Sequence, residues 1–264
     1  MRALALLILL SGCAHTAPDT DPLARWPHFQ SHTLENGLRI VTVENKAEPV
    51  VALTAYVTTG GRTETAEYAG ALHFIEHLVF KGGTPRFVPT NFRKIITSLG
   101  DESGGWTWDD EIQFGFQVPT AAFGEALDTF SESLMELQWS QKWFEDERQV
   151  VLQEIQKVSE QPWNKLWNAW DQLTYKSHAY GRAVIGDAKT IRAQSMEQLE
   201  RYYNDRFRPN HMVVVVVGDI SHEEAARHVK HHFGEYSRGP ASFELGVVEA
   251  PQTAPRRRVI ESDA

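Results

Sequence analysis

At 264 residues the chain has room for one large domain or two small ones, and a 42% hydrophobic content with 8 Trp, 13 Phe and 7 Tyr is enough for a sizeable core. A net charge of −9 excludes binding to nucleic acid or an anionic membrane through a broad basic face. The single cysteine, Cys13, excludes an internal disulfide framework and any cysteine-based metal site.

The N-terminus reads as a targeting segment. Arg2, the apolar run from Ala3 to Leu10 and the small residues Ser11 and Gly12 have the anatomy of a secretory signal over residues 1–12, too short to span a bilayer. Leu10-Ser11-Gly12-Cys13 resembles the bacterial lipobox, in which cleavage precedes the cysteine and lipid is attached to it. That resemblance implies a lipidated Cys13 followed by a flexible tether to residue 27. It also implies a place in the bacterial cell envelope, on the periplasmic side of the outer membrane. The lipid would be the only membrane contact.

Two β-prone runs around Glu35-Asn36-Gly37 predict a hairpin over Phe29 to Val43. A β-branched run from Pro49 to Thr58 predicts a third strand, ended by Gly60-Gly61. The stretch Ala71 to Phe80 reads as an apolar helix closed by Gly82, Gly83 and Pro85. Thr90 caps a short helix, Asn91 to Leu99, which Gly100 ends. A second hairpin turns at Asp109-Asp110, between Trp106-Thr107-Trp108 and the run Ile112 to Val118. Helices follow over Ala121 to Leu137, Gln141 to Glu160 and Asn164 to Tyr175. The last carries Trp163, Trp167 and Trp170 at helical spacing, a stripe expected in the core, with a subunit contact as the alternative. Ser195 and Ser221 open capping boxes for two further helices, to Phe207 and Phe233, flanking a central strand over Met212 to Val217. No internal repeat is visible. Strands in hairpins mixed with strands separated by helices define an α+β class with a mainly antiparallel sheet packed with helices. The folded domain is expected over 28–248. Residues 249–264, with the basic run Arg256-Arg257-Arg258, are expected to be a solvated tail or linker.

The chemistry concentrates in His73-Phe74-Ile75-Glu76-His77. Positions three and four apart share a helix face, so His73, Glu76 and His77 project together from an apolar rod. Buried ionisable groups need a charge partner or a metal. A catalytic zinc takes three protein ligands and leaves one position open. Two imidazoles come from His73 and His77, and Glu147 and Glu154, seven apart on one predicted helix, are the candidate carboxylates. One of them can bind the metal while the other orients a ligand or water. Glu76 is placed as the general base that takes a proton from water and returns it to the leaving amine. His228, His231 and His232 share a helix face too. They have no carboxylate among them and lie beside Arg227 and Lys230, so they read as a solvated face.

These motifs resemble the zinc peptidase family of pitrilysin, insulin-degrading enzyme and mitochondrial processing peptidase, the inverzincins. The similarity runs through Gly61-Arg62, the block Gly70 to Gly82, Glu147 to Glu154, Tyr180 to Gly186 and Arg208 to Asp219. It implies one Zn2+ per chain held by His73, His77 and Glu154. Glu76 would be the base and Glu147 the carboxylate behind the ligands. Extended or unfolded peptides would be cleaved after adding as a strand to a sheet edge, which Ser103 to Trp108 would form. The family commonly shows Asn-Ala where this chain has Gly104-Gly105. Relatives carry at least two such domains that close around the substrate, so a second pitrilysin-like domain or subunit is the expected partner. The alternative is a non-catalytic or truncated assembly subunit.

Overall fold

A computed structural model of the chain describes residues 29–86, 91–99, 103–243 and 247–260. Cys13 with its signal and tether, the Thr90 cap and Gly100 lie outside the described residues. Among the described residues the fold is α+β: a mixed six-stranded sheet with eight α-helices. The strands are β1 (Phe29–Thr33), β2 (Arg39–Glu44), β3 (Val50–Val57), β4 (Ser103–Thr107), β5 (Ile112–Pro119) and β6 (Met212–Gly218). They lie in the order β1-β2-β6-β3-β5-β4. Four of the neighbouring pairs are antiparallel, and β2 with β6 is parallel.

The predicted hairpins are present, with Gly37 at a φ of 92° where the first chain reversal needs a left-handed residue. Strand alternation decides which face is dry. In β3 and β5 every second side chain is buried, the pattern of a sheet covered by helices on one face. One row of that face runs Ile40, Val214, Ala55, Phe114 and ends at Gly105 on the edge strand β4. The next row ends at Thr107, opposite Ile112. The helix carrying the histidines packs over these two row ends.

The helices are α1 (Ala71–Lys81), α2 (Asn91–Ser98), α3 (Phe123–Met135), α4 (Gln141–Glu160), α5 (Pro162–Thr174), α6 (Ala188–Ala193), α7 (Met196–Arg206) and α8 (His222–Phe233). Both serine caps are formed: Ser195 makes the full reciprocal box, and Ser221 accepts from the Glu224 amide. Helix α1 buries Ala71, Leu72, Phe74, Ile75, Leu78 and Val79, leaving only the stripe of His73, Glu76, His77 and Phe80 partly open. Phe74 stacks on Phe144 of α4 with ring centres 5.0 Å apart, which locks α1 against α4.

One expectation fails on α5. Trp163, Trp167 and Trp170 are 71%, 59% and 60% exposed, so they are not core. Helix α5 packs against α4, buries Ala169 and turns its aromatic stripe outward. Helical periodicity reveals that an apolar face exists; it carries no information about which side that face is on. The basic run is also more engaged than a solvated tail. Arg256 donates to the carbonyls of Leu173 and Thr174 at the C-terminal end of α5, and Arg258 bonds Gln172.

Candidate metal centre

Helix α1 begins at Gly70, whose φ of 85° sets the chain into the helix, and it ends where the Gly82 amide bonds the Leu78 carbonyl. His73 and His77 therefore stand one turn apart on its open stripe, rings 4.7 Å apart. Helix α4 lies alongside, anchored by buried Phe144 and Val151 and by the partly buried Leu152 and Ile155. That anchoring brings Glu147 and Glu154 to the two histidines.

Glu154 is where the cluster meets. Its Oε2 lies 3.8 Å from His73 Nε2 and 3.2 Å from His77 Nε2. One potential ligand atom from each of the three residues falls within 4.8 Å of the others. Ligand atoms held at ~2.1 Å from a tetrahedral zinc are themselves ~3.4 Å apart, so both spacings lie close to what the ion needs. Two imidazole nitrogens and a carboxylate oxygen also form a common donor set for a catalytic zinc. Glu147, almost fully buried, accepts from or shares a proton with His77 Nδ1 at 2.8 Å. That bond leaves His77 Nε2 as the nitrogen free to bind a metal. Nδ1 of His73 is buried without a hydrogen-bond partner among the described residues, so packing alone orients that ring.

The electrostatics of the cluster follow from burial and from its hydrogen bonds. Burial opposes a charged His77, yet its hydrogen bonds to Glu147 and Glu154 outweigh burial and raise its pKa to about 9. Burial and the neighbouring His77 lower His73 to about 4. The His77 hydrogen bond in turn holds Glu154 below the usual carboxylate range.

Glu76 stands apart from the triad, on the side facing the sheet edge. Its Oε2 accepts a 2.6 Å hydrogen bond from the Thr107 hydroxyl of β4. Burial raises the Glu76 pKa despite that bond, which makes its carboxylate a stronger base. Sequence reasoning missed Thr107; only the pairing of β4 at the sheet edge places it over α1. Gly105, on the same face of β4, permits the close approach. A Cβ there would fall 2.4 Å from the Phe80 ring and 3.1 Å from Glu76 Cγ. Between β4 and α4 opens a cleft of about 300 Å³ lined by Glu76, His77, Phe80, Gly104, Gly105 and Val150, among others.

The second histidine group holds no such arrangement. His231 is exposed, His228 is edge-on to the Phe123 ring, and His232 lies 3.6 Å from Asp128. His228 and His232 are half-buried rather than fully solvated, and the three form no metal cluster among the described residues.

Residues 39–188 match the family model described as Insulinase (Peptidase family M16), and residues 194–264 match Peptidase M16 inactive domain. Strands from both matched regions share the one sheet, since β6 lies between β2 and β3. A probable mitochondrial-processing peptidase subunit beta of Arabidopsis thaliana is 26% identical over 90% of this chain and 45% of its own length. An uncharacterized zinc protease of Mycobacterium leprae is 30% identical over 86% of this chain and 48% of its own length. The crystal structure of a protease from Helicobacter pylori superposes with a TM-score of 0.81, at 26% identity, covering 86% of this chain and 55% of that one. The chain spans about half the length of the curated relatives it matches.

Proposed function

This chain belongs to the insulinase (M16) family of peptidases, and from that premise we propose that it is the metal-binding half of a zinc-dependent endopeptidase acting on extended or unfolded peptides. The observation that carries the reading is the meeting of His73 Nε2 and His77 Nε2 at Glu154 Oε2, with Glu76 left outside the triad and held by Thr107. His73, His77 and Glu154 would hold one zinc per chain, and Glu147 would fix the tautomer of His77. Zinc, when bound, polarises the scissile carbonyl and lowers the pKa of the attacking water. Glu76 takes the water's proton and returns it to the leaving amine, with the Thr107 hydroxyl keeping its carboxylate aimed.

Strand β4 pairs only with β5 among the described residues, so its outer edge presents unpaired backbone groups beside Glu76. An extended peptide adds there as a further strand. Gly104 and Gly105 put no side chain of their own on that edge, and the Trp106 and Phe80 rings lie against them. The cleft stands open on one side, and a second pitrilysin-like domain or subunit closes it over the substrate. The competing reading, a non-catalytic assembly subunit, has no use for a base held outside the ligand set.

Residues 1–12 are read as the signal, Cys13 as the lipidated anchor of an outer-membrane protein facing the periplasm, and residues 14–27 as its tether. The domain proper is 28–248, and 249–264 lead toward the second half. Purified protein is expected to carry about one zinc per chain and to cleave an unstructured peptide once a second half is co-expressed; a protein without bound zinc defeats the reading. Cys13→Ser should move the protein out of the membrane fraction, and continued membrane fractionation would remove the lipid anchor from the proposal.

A further inference from the structure

The first N–H groups of an α-helix have no partner within the helix. At α1 two of them are taken by a side chain from outside: Glu64 Oε2 accepts from the Gly70 amide and Oε1 from the Leu72 amide, each at 2.8 Å. Glu64 is 5% exposed and follows the 3-10 turn Gly61–Thr63. Arg182 donates to its main-chain carbonyl. The residue before the helix is clamped as well, since the Ala69 carbonyl accepts from Thr190 Oγ1 at 3.1 Å and Gln194 Nε2 at 3.2 Å. Gly70 and Gly186, both at positive φ, pack so tightly that a Cβ on either would strike the other's chain within 3 Å. His73 is the residue after Leu72, directly on this anchored turn.

We propose that Glu64 is a positioning residue of the metal site: by taking the Gly70 and Leu72 amides it fixes the height and tilt of α1, and so where the Nε2 atoms of His73 and His77 stand relative to Glu154. The inference rests on the metal-site reading given above. Its physical basis is that the three ligands come from two helices, so their spacing is only as good as the registration of α1 against α4. Working metal constellations tolerate displacements of only ~0.5 Å. Phe74–Phe144 stacking sets the distance between the two helices. It does not stop α1 sliding along its own axis, and the Glu64 carboxylate, bonded at the end of that axis, does. A negative group there is also favoured by the helix dipole. Burial pushes the Glu64 carboxyl up to about 7 against the pull of its backbone donors and of Arg182 and Arg206. Both of its oxygens serve as acceptors, so Gln is the informative replacement. It offers one oxygen and turns an NH2 toward the second backbone donor.

The test compares wild type, Glu64→Gln and Glu64→Asp by zinc affinity against a chromophoric chelator and by the visible spectrum of the Co2+-substituted protein. Glu64→Gln is expected to bind zinc about tenfold more weakly with an altered Co2+ band shape, while its metal-free form still unfolds cooperatively. Glu64→Asp, with two oxygens, should lose less. Equal affinity and an unchanged spectrum in Glu64→Gln would overturn the inference while leaving the metal site intact. A wild type that binds no zinc would overturn both. Should Glu64→Gln not fold, amide hydrogen exchange of Leu72 in the wild type decides. Protection equal to the interior of α1 supports the clamp, and the fast exchange of an open helix end refutes it.

Discussion

Glu76→Gln is expected to retain the metal and to lose peptide cleavage by about 10³-fold, within the range that a general base contributes. The substitution is nearly isosteric, and the remaining oxygen can still accept from the Thr107 hydroxyl, so α1 and β4 have no reason to move. Glu76 is not among the three residues whose ligand atoms converge, so zinc content should match the wild type. What disappears is a partly buried carboxylate whose pKa is raised by its surroundings and which can therefore hold the proton between the attack on the carbonyl and the departure of the amine. The loss should fall on kcat, with KM little changed, because a peptide on the β4 edge is bound by backbone groups rather than by Glu76. Cleavage within tenfold of wild type at equal zinc content would mean that another group is the base.

Glu154→Ala should strip the metal. Glu154 is the common neighbour of both imidazoles, and without it only two nitrogens remain, one short of a catalytic zinc site. Glu147→Gln makes the contrast. Its oxygen can still accept from His77 Nδ1, but the charge behind the imidazole is gone, and loss of such an outer partner weakens metal binding about 10- to 100-fold. Zinc per chain after dialysis against graded chelator should therefore rank wild type above Glu147→Gln, and Glu147→Gln well above Glu154→Ala. If Glu154→Ala holds zinc as tightly as wild type, the third ligand lies elsewhere. The order of the two glutamates is the sharp part. Glu147 is the more deeply buried and makes the shorter contact, yet the convergence of both Nε2 atoms selects Glu154.

Local chemistry was legible in the sequence wherever it depends on neighbours along the chain. The 73–76–77 stripe, the Asn36-Gly37 turn, the serine caps and the bounds of α4 all follow from spacing and cap residues, and the structure has them. Glu147 and Glu154 stood out as the candidate carboxylates from their spacing on one helix, but which of them binds the metal followed only from resemblance, because no rule of periodicity says how two helices meet. Contacts made through the sheet were silent. Thr107 is an ordinary strand threonine until β4 is known to be the edge beneath α1, and Glu64 is an ordinary loop acid until the chain folds it under Gly70 and Leu72. The tryptophans of α5 misled because the hydrophobic effect fixes a face only relative to what covers it.

The position of β6 also bears on how the protein comes into being. This strand, made after the other five, pairs with β2 on one side and β3 on the other, so Ile40 and Ala55 meet through Val214. Until the polypeptide has emerged past residue 218, the hairpin of β1 and β2 has no bonded connection to the rest of the sheet. Contacts so far apart in sequence close slowly, and until they close the facing edges of β2 and β3 stay unpaired. The histidine helix and its glutamates are all synthesised before that closure. All of the site's chemistry is thus in place along the chain before the strand that joins the two parts of the sheet.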